Sequence, residues 1–410
     1  MANNTLVDND DGIGLSSTAT TLRGNDIVGN VNGIDMFGAS EATLRDNEMR
    51  DNQIGLDITG GYDHDIDRSN TVDGKPVYYL RGETGTTVDP DTDPGYLAVV
   101  DSAGVTVRDV TLTGVGSLPV VGSTDVTVTD VTVQGDDGIR LINTKNSEVR
   151  NSRVTSGRFG STGIAVEQCF SCVRTTDTPA DSAGNTVRGN RVSGRFSDGI
   201  ELDETTDVTV TNNTITGAFT GIEADETVRA SIRGNTVRNS FDGIEIDCCF
   251  TGEVNTNVAT VEGNVLADNS VGIELNIDDG EVVVRRNAIV DNRVGIEIER
   301  IFFSDGTESP RYEITLNRIS GNDAYGVDNE RSDDVVDATN NYWGAADGPS
   351  SRTADPLADP ETGALADGSG DAVSAGVAPG VSNVRFDPFL ESPPSDAPSA
   401  NATATAARSG

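Results

Sequence analysis

A four-residue phrase recurs down this chain: a glycine, a β-branched residue or leucine, an acidic residue, and then usually an apolar one. It reads Gly33-Ile34-Asp35-Met36, Gly55-Leu56-Asp57-Ile58, Gly199-Ile200-Glu201-Leu202, Gly221-Ile222-Glu223-Ala224, Gly243-Ile244-Glu245-Ile246, Gly272-Ile273-Glu274-Leu275 and Gly295-Ile296-Glu297-Ile298. Gly12, Gly33 and Gly55 lie 21 and 22 residues apart, and Gly199, Gly221 and Gly243 lie 22 apart. A fixed period near 22 is the signature of a solenoid, in which each repeat buries its apolar face only against its neighbours.

Within one period there are three short strand-like runs, as in Val208-Thr209-Val210, Asn213-Thr214-Ile215-Thr216 and Gly221-Ile222-Glu223-Ala224. Apolar and polar residues alternate, which places one set inward and one outward. The runs are too short for helices, and β-branched residues dominate them, as strands prefer. Three strands per turn, each pairing with its equivalent about 4.8 Å along the axis, predict an all-β parallel β-helix. Asparagine marks the turns at 25, 47, 190, 213, 235, 264, 287 and 317, with a second set at 30, 52, 269, 292 and 322. Its amide tolerates turn backbone and can bond from rung to rung, so these asparagines are read as structural.

Composition excludes some partners. Acidic residues number 67 against 29 basic ones, a net charge of −38, and Lys75 and Lys145 are the only lysines. Such a surface repels nucleic acid and anionic lipid. The acid is spread along the chain, which suits a protein in concentrated salt, where the Debye length falls to about 3 Å. No run of about 18 apolar residues is present, so no membrane-spanning helix is expected. Met1 leads straight into a repeat without a cap, so a signal segment and the first rungs are expected to be missing from this chain.

The period is broken at 61–95, and insertions are expected near 168–184, 248–258 and 300–311, as loops on the side of the scaffold where function usually sits. Repeats run to about 330. Residues 331–391, with Trp343 and the late phenylalanines, are expected to cap the end, and 392–410 reads as a linker or disordered tail.

Asp63-His64-Asp65-Ile66-Asp67, the stretch Asn70 to Leu80, and Asn340-Asn341-Tyr342-Trp343-Gly344 with Asp387-Pro388-Phe389-Leu390, set on these repeats, resemble the NosD-like group of right-handed parallel β-helix proteins. That group belongs to the class called carbohydrate-binding and sugar-hydrolase repeats. The resemblance covers about residues 1–391 and implies a secreted or surface protein with a pectin-lyase-like fold. Members named for NosD assist copper-centre assembly. The acid excess with few lysines is similar to that of proteins from halophilic archaea.

The candidate ligand-binding residues form two outward columns: Asp35, Asp57, Glu201, Glu223, Glu245, Glu274 and Glu297, and beside them Asp203, Asp225, Asp247 and Glu299. Stacked carboxylates call for cations, so weak, multiple calcium binding is expected. His64 with Asp65 is a metal candidate, although neighbours along a strand point to opposite faces. Cys169, Cys172, Cys248 and Cys249 could hold zinc or copper(I), but disulfides are the plainer expectation outside the cell.

Three functions compete. The first is an extracellular scaffold binding polysaccharide or a cell-surface protein. The second is a polysaccharide lyase or glycoside hydrolase, for which Asp136-Asp137 offers paired carboxyls similar to those of polygalacturonases, but that family's Gly-His-Gly and Arg-x-Lys do not follow. The third is a copper-handling accessory protein, for which three methionines and one histidine are few.

Overall fold

The computed structural model describes residues 1–169, 182–247, 257–277, 280–299, 310–331 and 334–399. The expected insertions therefore lie largely outside the described residues. The chain forms two compact units, Met1–Glu201 and Leu202–Gly410. Both are right-handed parallel β-helices of three-strand rungs, and among the described residues the only helical turn is the 3-10 segment Pro90–Thr92. None of their helices is long and apolar enough to cross a membrane.

The repeat positions stack as the period requires. In the first unit Leu22 pairs with Leu44, Ile27 with Met49, and Ile34 with Leu56. In the second, Val210 pairs with Ile232, Ile215 with Val237, and Ile222 with Ile244. All twelve side chains are buried. Each rung thus stacks like on like down its lumen, and removing this apolar surface from water is the main driving force. The phrase glycine is required by closeness rather than by dihedral angle. A Cβ on Gly243 would stand 2.4 Å from the Gly272 carbonyl oxygen of the next rung.

The turns are held by buried amide ladders. In the first unit Asn25 Nδ2 donates to Asn47 Oδ1 at 2.8 Å, and Asn47 Nδ2 to Asn70 Oδ1 at 2.8 Å. In the second, the ladder runs Asn213, Asn235, Asn264, Asn287, Asn317 and Asn341 with steps of 3.0 to 3.1 Å. Between the asparagine stretches of the first unit serine takes over the turn. Ser147 Oγ accepts from the Val126 N–H at 3.1 Å, and the Ser147 N–H donates to Asn185 Oδ1 at 2.9 Å. Many turn residues one position before an amide adopt left-handed backbone, among them Asp46 at φ 55° and Asn212 at φ 56°, where other rungs place Gly24 or Gly234. Part of the acid excess is therefore turn chemistry, since aspartate tolerates this conformation better than most residues.

The stretch from 61 begins in register. Asp65 and Ile66 pair with Thr43 and Leu44, and Asn70 continues the ladder. The departure comes at Lys75–Arg81, which turns back antiparallel on Thr71–Val72 and then runs parallel to Tyr96–Val100. In the second unit Trp343 and Phe386 are fully buried, and Asp371 ends the outer ladder by accepting from the Gly321 and Asn322 N–H groups and from Asn322 Nδ2. Residues 391–399 fold back, and Asp396 pairs with Arg286.

Candidate functional site

In the second unit the register aligns Glu223, Glu245, Glu274, Glu297 and Asp328 in one column. Asp225 aligns with Asp247 and then with Asn276, so the neighbouring column is interrupted, while Glu299 follows on the next rung. Asp203 closes the strand Arg191–Asp203. Glu201, in the first unit, accepts a hydrogen bond from Thr162 Oγ1 at 2.7 Å. The second-unit column is half-buried rather than fully solvated. Burial raises the pKa of Glu245, Glu297 and Glu299, and like charges push in the same direction. Burial also lifts Asp225 to about 6, helped by Glu226, and Asp328 to about 6, helped by Glu330.

One residue absent from the sequence-level candidates dominates this face. Asp242 precedes the phrase glycine, is 3% exposed, and shares a hydrogen bond with Glu274. Burial, then the like charges of the column, raises both carboxyls above their ordinary values. Beside them stand two exposed aromatics, Phe219 and Phe241, stacked at 4.9 Å between ring centroids and 6° between planes. The next rungs place Ser270 and then Arg293 on the same line, and Arg293 reaches Glu297 at 4.0 Å.

The first unit holds a different cluster. Arg140, from the strand Ile139–Ile142, forms a two-pronged ion pair with Glu167, Nε to Oε1 and Nη2 to Oε2, each at 2.8 Å, and lies 3.5 Å from Asp137 Oδ2. Asp57 sits where the small sheet ending at Ile54–Thr59 stops pairing, and a Cβ on Gly116 would collide with its carboxylate. Burial lifts Asp57 to about 6, with Asp137 and Asp35 adding to the shift. Burial also raises Asp137 and Glu167 against the opposing pull of Arg140. The Tyr62 and Tyr96 rings are buried close by, and no hydrogen-bond partner meets the Tyr96 hydroxyl. Arg140 interrupts the acid column in the sequence; the structure shows that it gathers the surrounding carboxylates.

The proposed soft-metal donors lie apart. His64 is buried, its Nδ1 accepts from the Ala42 N–H at 3.2 Å, and burial lowers its pKa. Asp65 is turned toward Arg45. Met36 and Met49 are sealed in the core. Cys169 is disulfide-bonded and is clasped by Asn143, which accepts from its N–H and donates to its carbonyl, both at 2.8 Å. Cys172, Cys248 and Cys249 lie outside the described residues.

No curated protein sequence matches the chain. Among solved structures, it is similar to the catalytic unit of a thermostable GH87 α-1,3-glucanase from Streptomyces thermodiastaticus strain HF3-3. The identity is 14% and the TM-score 0.46, over 79% of this chain and 59% of that one. The chain thus spans under two thirds of the glucanase unit. A second likeness is to the Streptococcus pneumoniae surface protein and adhesin PfbA, at 14% identity and TM-score 0.42, over 77% of this chain and 88% of that one. A third is to a PL6 alginate lyase solved with a trisaccharide, at 11% identity and TM-score 0.32, over 94% and 90%. The family described as periplasmic copper-binding protein (NosD) matches residues 1–88, 99–300 and 174–348, and with its repeats, ladders and rungs the chain belongs to the NosD family.

Proposed function

We propose that the protein is an exported, salt-adapted β-helix scaffold that holds polysaccharide on the side of its second unit. The observation that carries this reading is the exposed Phe219–Phe241 pair beside the half-buried carboxyl column. Large apolar side chains left open on a rigid surface mark binding sites. The C–H faces of a sugar ring pack against aromatic rings, while its hydroxyls donate to carboxylates. The ligand class that suits this face is a neutral polysaccharide, because the carboxyl column repels uronates. In affinity electrophoresis against neutral and acidic polysaccharides in high salt, the protein is expected to be retarded by a neutral one. The double variant F219A/F241A is expected to bind at least tenfold more weakly. Equal retardation of variant and wild type would remove this face from the function.

The Asp57, Asp137 and Arg140 cluster favours a second reading, in which the first unit hydrolyses a glycosidic bond. A carboxyl lifted to about 6 is a suitable proton donor, and an ionised partner held near arginine can activate water. Reducing-end release is expected at pH 5, to fall as pH rises through about 6, and to drop by roughly 10²-fold or more in D57N. A panel of polysaccharides yielding no reducing ends sinks this reading and leaves the scaffold reading intact.

The copper named in the family description does not fit the described donors. His64 already accepts a backbone hydrogen bond, the core methionines are sealed, and Cys169 is committed to sulfur. Among the described residues no group of three close metal-type donors includes His64 or Cys169. Copper prefers soft or imidazole donors, so no copper step is assigned to this chain.

A further inference from the structure

The residue before the phrase glycine follows a diagonal rule. In the first unit Thr162 donates from Oγ1 to Oε2 of Glu201, at 2.7 Å. In the second, Thr220 donates from Oγ1 to Oε2 of Glu245 on the following rung, at 3.2 Å. A hydroxyl donor thus meets a carboxylate acceptor each time. One rung further on, Thr220 aligns with Asp242, and Glu245 aligns with Glu274. The same diagonal now joins two carboxyls, and an ionised aspartate has no hydrogen to donate.

Among the described residues the surroundings supply none. Asp242 is 97% buried on the 3% exposure given above, and its Oδ1 has no hydrogen-bond partner. The next residue in its line is Val271, which cannot donate from its side chain. The groups that bear on the pair are Glu245, Glu297 and Glu299, all acids, and the nearest described arginine on the column, Arg293, leans to Glu297. A buried carboxylate oxygen with no donor is costly unless a positive charge meets it.

We propose that Asp242 and Glu274 are the protein ligands of a single calcium ion. Among the described residues only oxygen ligands are present, which selects a hard cation over copper or zinc. Calcium accepts irregular geometry and bidentate carboxylates, and water completes its shell; two protein carboxylates place the affinity near the weak, extracellular class, about 10⁻⁴ to 10⁻³ M. The site differs from the diffuse binding expected of a carboxylate stripe: it is one position, set by one threonine-to-aspartate exchange between rungs. It does not depend on glycan binding by Phe219 and Phe241.

The test is calorimetric titration of the full chain with calcium chloride in low salt at pH 7.5. Wild type is expected to show one site, and magnesium to bind more weakly. Asp242→Thr restores the residue of the preceding rung, so it is expected to fold with unchanged circular dichroism while calcium affinity falls at least tenfold. Asp242→Asn serves as a second variant with the same expected loss. Calcium uptake that is absent, or that ignores both substitutions, overturns the proposal.

Discussion

Replacing Asn287 with alanine is expected to cost the second unit about 3–5 kcal/mol, from two to three buried groups orphaned at about 1–3 kcal/mol each. The Asn287 side chain sits at the centre of the ladder and is fully buried. Its Oδ1 accepts from the Asn264 N–H at 2.8 Å and from Asn264 Nδ2 at 3.0 Å. Its Nδ2 donates to the Val261 carbonyl at 2.9 Å and to Asn317 Oδ1 at 3.0 Å. Alanine removes all four bonds and supplies no water to replace them. Urea unfolding followed through Trp343, the only tryptophan and part of the same unit, measures the loss. A change below about 1 kcal/mol, the net value of an ordinary hydrogen bond, would show that neighbouring rungs close over the gap. Because a repeat array is stabilised by nearest-neighbour contacts, the same substitution is also expected to broaden the transition.

The second large effect is expected from Arg140→Met in the first unit, again about 3–5 kcal/mol, the cost of stripping one partner from a buried ion pair. The side chains of Arg140 and Glu167 are only 20% and 12% exposed, so water offers Glu167 little compensation. The loss should depend on pH. Burial already holds Asp137 and Glu167 above their ordinary values, and Arg140 opposes it. Without the guanidinium both climb further, so the folded state binds protons that the unfolded chain has released. Stability is then fully present below the unfolded carboxyl values near 4 and is lost as pH rises through the raised folded values. The deficit of R140M is expected to be large at pH 8 and to shrink toward pH 4.5. Adding E167Q to R140M should return part of the loss. An equal deficit at both pH values would mean that packing of the arginine stem, not charge, carries the effect.

How far the residues were legible depends on whether their partners obey the period. Asn264 and Asn287 were legible as turn residues because each repeats in step, and the ladder hydrogen bonds follow from stacking alone. The stacking of Glu245 on Glu274 was legible for the same reason. Asp242 was not, since a lone aspartate before a glycine reads as one more acid in an acidic chain. The clue was its alignment with Thr220, which becomes meaningful only once the threonine is seen to donate to the glutamate on the next rung. The exposed phenylalanines carried a weaker clue, two aromatics one period apart at 219 and 241 in a chain with few of them. Arg140 stood out as an interruption in the acid column. That it binds Glu167 could not be read from spacing, because Arg140 aligns with Ala165 and reaches Glu167 across a diagonal; that Asp57 joins the cluster could not, because the turn back at Lys75–Arg81 breaks the period between them.

The Gly-Ile-acid-apolar phrase by itself determined the rung, its three strands, the inward set and the line of outward acids. It could do so because in a solenoid the partner of each residue lies one period away, so local sequence and tertiary neighbour are the same information. Only the tertiary structure decided which of those acids are half-buried, which meet across a diagonal, and which gather on Arg140. Those outcomes depend on diagonal side-chain reach and on chain that leaves the period, and in a medium of low dielectric a few ångströms decide whether a carboxylate is a solvated surface charge or a buried one with a raised pKa.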